Sequence, residues 1–253
     1  VQVTIGVHAV GLLAKSAAKS GPGSKASEKL ANEVHVGKSI VVVTGEGTIV
    51  RVVSLVALRV QREDGHVFAQ VAKWEDSQMK AACQLPGFKQ DREELVPEAI
   101  QRLFDTKLQI LADKVSITGT VRESTEKASK EYGVHTRYLK SVCSVRFNDG
   151  ASIDAPICGV VTAGVQSEDG IVPLSPEHTT NMGLSPGDAD ILAILLETPV
   201  FATGGVGAAS LNLYSWLSPG VFWSLTNGGK ENLLRMWVAS LTLPDEARLS
   251  AFC

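Results

Sequence analysis

The chain has 253 residues, 24 Lys plus Arg against 27 Asp plus Glu, and a net charge of −3, with 44% hydrophobic and 20% charged residues. That length can bury a sizeable core, as one large domain or as a domain with a smaller unit. The slightly acidic balance argues against a general nucleic-acid binder, which needs a basic excess or stripe.

No run of about 18 uncharged apolar residues is present, so no membrane-spanning helix is expected. The most apolar region, 191–217, is interrupted by Glu197, Pro199, Gly204, Gly205 and Gly207. The four cysteines, Cys83, Cys143, Cys158 and Cys253, form no CxxC pair, and no histidine stands at zinc-finger spacing. Neither a zinc site nor a disulfide framework is expected.

The chain begins at Val1 and reads as a processed or partial product. Residues 1–27 carry Lys15, Lys19 and Lys25 and no acidic residue. Such a composition suits a solvated linker first and an organellar transit segment second. The compartment therefore stays open, organellar or cytoplasmic. The Ser/Gly/Lys tract 14–30 is expected to be mobile.

From Ser39 the pattern turns to strands. Ile40-Val41-Val42-Val43 ends at the turn Thr44–Gly47, and Thr48–Val60 reads as a buried strand. Asp64-Gly65 is a hairpin signal, and His66–Ala72 returns as its partner. Trp74–Ala82 reads as a polar loop and Gln84-Leu85-Pro86-Gly87 as a turn. Pro97–Leu108 is expected to be helical, with Pro97 in the first turn and Ile100, Leu103, Phe104 and Leu108 on one apolar face. Strands are expected at Val115–Val121, Tyr138–Phe147 and Pro156–Val165, with a charged stretch Arg122–His135 between the first two. Ser175-Pro176 and Ser185-Pro186 look like capped helix starts, and Asp188–Glu197 like a short helix. Ser218-Pro219 opens one turn, and Glu231–Leu241 is a last amphipathic helix carrying Leu233, Leu234, Trp237 and Leu241.

The order hairpin, Leu-Pro-Gly turn, Glu-rich loop, helix resembles the Nudix domain over residues 51–147. The family's box runs Gly, five residues, Glu, seven residues, then Arg-Glu-aliphatic-any-Glu-Glu-any-Gly-aliphatic. Here Gly87 takes the first place and Glu93 the second. Gln101 stands at the Arg place, Arg102 at the first Glu, Leu103 at the aliphatic, Asp105-Thr106 at the Glu-Glu pair and Leu108 at the last Gly. In the family these carboxylates bind Mg²⁺ or Mn²⁺ against a diphosphate, because hard cations need oxygen ligands. A guanidinium at 102 cannot become a ligand.

The resemblance implies an α/β fold, a Nudix-like mixed sheet flanked by helices. We expect an N-terminal arm (1–38), the Nudix-like domain (39–165) and a helical, aromatic C-terminal extension (166–253). The first functional expectation is a non-catalytic module that docks into a larger assembly, with an organellar membrane complex as one possible host. It needs no cofactor. Its protein partners would meet residues 1–35 and the region of Trp216, Trp223 and Trp237, although core packing is the commoner fate of such aromatics. The alternative is a divergent Mg²⁺-dependent hydrolase of nucleoside diphosphate derivatives. Glu93, Glu94, Glu98 and Asp105 would then be catalytic, with Lys89, Arg92, Arg102 and Lys107 on phosphate. A third reading is a sensor that binds a nucleotide without cleaving it.

Other motifs carry less. Gly37-Lys38-Ser39 lacks the earlier glycine of a P-loop, and a strand follows it. Gly205–Ser210 lacks the last glycine of a dinucleotide fingerprint. The five histidines, at 8, 35, 66, 135 and 178, pair with no Ser or Cys at triad spacing and with no metal ligand.

Overall fold

The computed structural model describes residues 23–46, 48–129, 132, 134–160, 165–167, 170–172, 184–204 and 210–244. The expectations for residues 1–22, Ser175-Pro176 and most of the Gly205–Ser210 motif lie outside these residues. The fold is α/β, with a mixed sheet flanked by helices. The described residues fall into two compact units. Unit 1 takes those up to Leu58, Gly87–Leu103 and Thr118–Ser144; unit 2 takes Arg59–Pro86, Phe104–Ile117 and those from Val145 onward.

Unit 1 opens with helix α1 (Gly23–His35), followed by strand β1 (Ile40–Val43) and the longer β2 (Ile49–Gln61), whose last three residues belong to unit 2. The expectation of a mobile 14–30 tract fails from Gly23 onward. The sequence of α1 is polar and small, but Leu30 and Val34 stand one turn apart and bury against Val41 of β1. That apolar pair outweighs the poor helix propensity of Gly and Ser around it. β1 pairs antiparallel with β2, Ile40 opposite Val52 and Val43 opposite Ile49.

The Leu-Pro-Gly turn delivers β5 (Gly87–Lys89) onto β2, with Gly87 opposite Ala57. A Cβ at Gly87 would lie 2.3 Å from the Val56 carbonyl oxygen. Close backbone approach is thus why glycine stands here. Helix α2 (Val96–Thr106) follows, and Ile100, Leu103, Phe104 and Leu108 are all buried, as their spacing predicts. The remaining strands with residues in this unit are β6 (Val115–Ala128) and β7 (His135–Phe147). The charged stretch after Val121 does not leave the sheet: β6 runs on to Ala128, exposed at almost every position. β2 and β7 are neighbours in the sheet and both begin in unit 1 and end in unit 2, whereas β6 does the reverse. β6 and β7 meet as an antiparallel hairpin, the Ser129 N–H donating to the Val134 carbonyl and the Asn148 N–H to the Lys114 carbonyl.

In unit 2 the Asp64-Gly65 turn forms as expected, with Gly65 at φ +82° and its N–H donating to Arg62 O at 3.0 Å. β3 (Val67–Glu75) leaves it, pairing with β2 at Gln61–Val67 and then with two other strands. One is β4 (Gln78–Gln84), in place of the expected polar loop. Asp76 and Ser77 take positive φ, 53° and 58°, and close a tight hairpin without glycine. Met79, Ala81 and Cys83 alternate onto the unit's apolar core.

Of the expected strand over Pro156–Val165, Gly159–Val160 form β8 and Val165 opens β9 (Val165–Ser167), which pairs with β10 (Gly170–Val172); residues 161–164 lie outside the described residues. The C-terminal extension carries helices α3 (Pro186–Glu197), α4 (Pro219–Asn227) and α5 (Glu231–Ala239), with Ser185 and Ser218 accepting from the Asp188 and Val221 N–H groups. Ser218-Pro219 thus opens a nine-residue helix where one turn was expected. The extension also holds β11 (Val200–Thr203), β12 (Ser210–Leu217) and β13 (Leu241–Thr242), the last paired with β8. β12 lies between β11 and β3, with Leu217 opposite Val67. Leu192, Leu195, Leu213, Leu233, Leu234 and Trp237 form the centre of this unit's core.

Trp237 is fully buried and Trp216 only 9% exposed, whereas Trp223 is 61% exposed. Trp237 is thereby corrected from a docking residue to a core residue of unit 2. Trp216 lies outside that core, packed against Phe68 and Phe147 with Arg62 over its ring, and lines a cavity with Phe201; Trp223 is exposed. No helix among the described residues is long and apolar enough to cross a membrane.

Candidate functional site

The residues matched to the Nudix box lie on the loop between β5 and α2 and on α2 itself. Glu98 is spent on the helix start. Its Oε2 accepts from the Leu95 N–H at 2.8 Å, the return half of a capping box, since leucine at the cap offers no oxygen of its own. Glu93 has φ +62° and an 85% exposed side chain, 3.4 Å from the Arg92 Nε. Glu94 points inward, with only 11% of its side chain exposed.

Arg102, at the place of the first box glutamate, grips Glu94 with both ends of its fork. Nε donates to Oε1 at 2.6 Å and Nη2 to Oε2 at 2.7 Å. The guanidinium also lies 3.9 Å from the Phe88 ring centroid, 3.3 Å from an Asp91 carboxylate oxygen and 3.3 Å from the Lys89 carbonyl. A planar fork that is stacked and bidentate loses few degrees of freedom per bond, so this side chain is well fixed. The Arg102 hydrogen bonds hold the Glu94 carboxyl below its ordinary range, against a smaller upward push from burial.

Lys89 and Arg92 also have local engagements. The Lys89 ammonium lies 2.6 Å from Glu33 Oε1 on α1. The Arg92 stem packs where a Cβ at Gly37 would stand, and Gly37 is at φ +76°. Glu33 gathers three donors. Besides Lys89 it takes the guanidinium of Arg51, whose side chain is 4% exposed, and the Tyr132 hydroxyl at 3.3 Å. Arg51 sits over the Tyr132 ring at 4.9 Å. Burial pushes the Glu33 carboxyl up, but the bonds from Lys89 and Arg51 outweigh it and hold it below its ordinary value.

The structure thus brings Lys89, Glu94 and Arg102 into one network in unit 1, with Arg92 and Glu93 paired on the same loop. Asp105 and Lys107 fall in unit 2. Asp105 is exposed, and its carbonyl accepts from the Gln109 amide; the Lys107 carbonyl accepts from Thr203 Oγ1 at 3.2 Å. Two members of the network, Glu33 and Arg51, were missed in the sequence because α1 was. The signal available was Leu30 and Val34 one turn apart, which places Glu33 beside the buried stripe.

At the head of α2 a cavity of about 440 Å³ opens in unit 1, with Gln90, Glu94, Arg122, Glu123 and Lys140 among its walls. Among the described residues no three His, Cys, Asp or Glu side chains gather as a metal-holding group. Cys83 and Cys158 are free thiols that burial pushes up to about 12.

No family model matches the chain, and no curated protein matches it. Among solved structures it is similar to a Nudix hydrolase from M. smegmatis, RenU, at 15% identity and a TM-score of 0.30, over 61% of this chain and 92% of that one. It is also similar to a MutT structure from work on the fish pathogen Aliivibrio salmonicida and Vibrio cholerae, at 14% identity and a TM-score of 0.23, over 39% and 68%. A third is an ADP compounds hydrolase, at 10% identity and a TM-score of 0.27, over 47% and 64%.

Proposed function

We propose that this chain is a Nudix-like module that works by contact and binding, as an accessory part of a larger assembly, and does not hydrolyse diphosphates. The observation that carries this reading is the Arg102–Glu94 fork. A fixed cation stands at the place of the family's first box glutamate, and it holds the one inward-facing carboxylate of the loop.

The residues present do not fit the divalent cation that the family resemblance implies. A guanidinium within about 4 Å of a divalent ion is repelled by several kcal/mol at an effective dielectric of about 20. Glu98 already satisfies a backbone N–H at the helix start. Glu93 faces solvent beside Arg92.

The cavity at the head of α2 favours a second reading, nucleotide binding without cleavage. Arg122 and Lys140 on its walls supply cationic groups suited to phosphate. Two measurements on the purified chain test both readings. The first is Mg²⁺- and Mn²⁺-dependent turnover of a panel of nucleoside diphosphate derivatives and dinucleotides. The expected result is none, and turnover that disappears in Glu93→Gln or Glu94→Gln would overturn the proposal. The second is thermal stabilisation by the same panel without metal. A saturable rise in Tm would assign the cavity to a nucleotide, and no rise leaves contact with other proteins as the role.

A further inference from the structure

β6 is the last strand of its sheet, and no strand among the described residues covers its outer edge. It is 14 residues long, contains no proline, and is exposed at every position from Ser116 to Ala128. Proteins commonly blunt such an edge with a short strand, a proline or a bulge, because its row of free N–H and C=O groups is a template for another strand. Here the device available is charge, and the charges have a pattern: Arg122, Glu123, Glu126 and Lys127 flank the uncharged Ser124-Thr125.

We infer that this edge, within residues 121–129, pairs antiparallel with the same edge of a second copy of the chain, about a two-fold axis at Thr125. A two-fold axis normal to a sheet keeps each face on its own side. Residues opposite each other must then share a face, so the axis falls on a residue and never between two. The possible centres are few. An axis at Arg122, Glu123, Glu126 or Lys127 sets a charge against its own copy, which is unfavourable.

An axis at Ser124 opposes Arg122 to Glu126, but Glu126 already lies 2.6 Å from Arg137 on β7. An axis at Thr125 puts Glu123 of each copy opposite Lys127 of the other. It also leaves Arg122 diagonal to Glu126. Glu123 and Lys127 make no ion pair within the chain among the described residues. The Thr125 register pairs both, twice, and opposes no like charges. The complementarity of the edge with itself is what selects a second copy as its occupant. None of these residues lies on α2, but Arg122 and Glu123 also line the cavity at its head, so the dimer constant rather than nucleotide binding is the readout.

Charge reversal tests it. Sedimentation velocity on the 253-residue chain over its soluble concentration range is expected to show a monomer–dimer equilibrium. Glu123→Lys alone, or Lys127→Glu alone, turns two attractive cross-strand pairs into two repulsive ones. Each should weaken dimerisation about tenfold or more. The double variant Glu123→Lys with Lys127→Glu restores the pairs and should return to within about threefold of wild type.

Thr125→Cys checks the register. Opposed Cα atoms at the axis lie about 4.5–5.5 Å apart, within disulfide reach, so mild oxidation should yield a covalent dimer that wild type does not form. A wild-type monomer throughout, single reversals that leave the dimer constant unchanged, or cross-linking through Ser124→Cys in place of Thr125→Cys would overturn the proposal.

Discussion

Replacing Glu33 by Ala should loosen α1 from unit 1. Glu33 is the one acid partner of Arg51 among the described residues, where the Arg51 side chain is 4% exposed, and it also takes Lys89 at 2.6 Å. Removing one partner of a buried pair typically costs about 3–5 kcal/mol, because the remaining charge stays in the interior without a counter-charge. Two features lower the figure. Lys89 is 35% exposed and can rehydrate, and Arg51 keeps the Tyr132 ring beneath it. The expected loss is therefore about 3 kcal/mol, roughly 6–12 °C in Tm for a chain of this size.

The assay is urea denaturation by circular dichroism, with hydrogen exchange of the amides of α1 as the local readout. Exchange should accelerate through Val34 and Val36 and leave the helices of unit 2 unchanged. Glu28→Ala, at an exposed position on the same helix, serves as the control and should cost little. The pH dependence follows from the sign of the shift. Glu33 is held below its ordinary value of 4.5 in the fold. Its stabilisation is thus fully present above that value and is lost as pH falls through the lower folded value. The gap between wild type and Glu33→Ala should be complete at neutral pH and close under more acidic conditions. A loss smaller than about 0.5 kcal/mol at neutral pH, or a gap that widens on acidification, would refute the reasoning.

Three further outcomes are expected. Gly87→Ala should cost about 2 kcal/mol or more in the same denaturation experiment, since the new Cβ meets the backbone of Val56 and Ala57, which cannot step aside. Asp76-Ser77→Asn-Gly should stabilise unit 2 by about 1 kcal/mol in thermal melts, because both positions have positive φ in a two-residue hairpin. Trp237→Ala should cost about 3–5 kcal/mol, whereas Trp223→Ala should stay within about 0.5 kcal/mol, a contrast that denaturation midpoints measure directly.

The sequence by itself determined the elements whose signals are local. The Asp64-Gly65 turn, the Ser-Pro helix starts at 185 and 218, and the apolar face of α2 follow from turn chemistry, capping and period, which act within a few residues. The match of Gly87, Glu93 and the residues up to Leu108 to the family's box, with arginine at 102, is likewise a reading of the sequence alone. Tertiary structure decided what these residues meet. β4 looked like a loop because Asp76-Ser77 lacks the usual hairpin glycine, and only packing of Met79, Ala81 and Cys83 on the unit 2 core fixes it as a strand.

α1 depends in the same way on Leu30 and Val34 finding Val41, and with it comes Glu33 as the partner of Arg51 and Lys89. β12 lies beside β3 although Ser210 pairs with Glu75 and Leu217 with Val67, partners far apart in the chain that no local pattern encodes. The Arg102–Glu94 fork joins a helix to the loop before it. In sequence each reads as a solvated charge on a polar face; only the loop's closure over Phe88 turns them into a fixed pair, because the direction of a side chain is set by the backbone it is packed against.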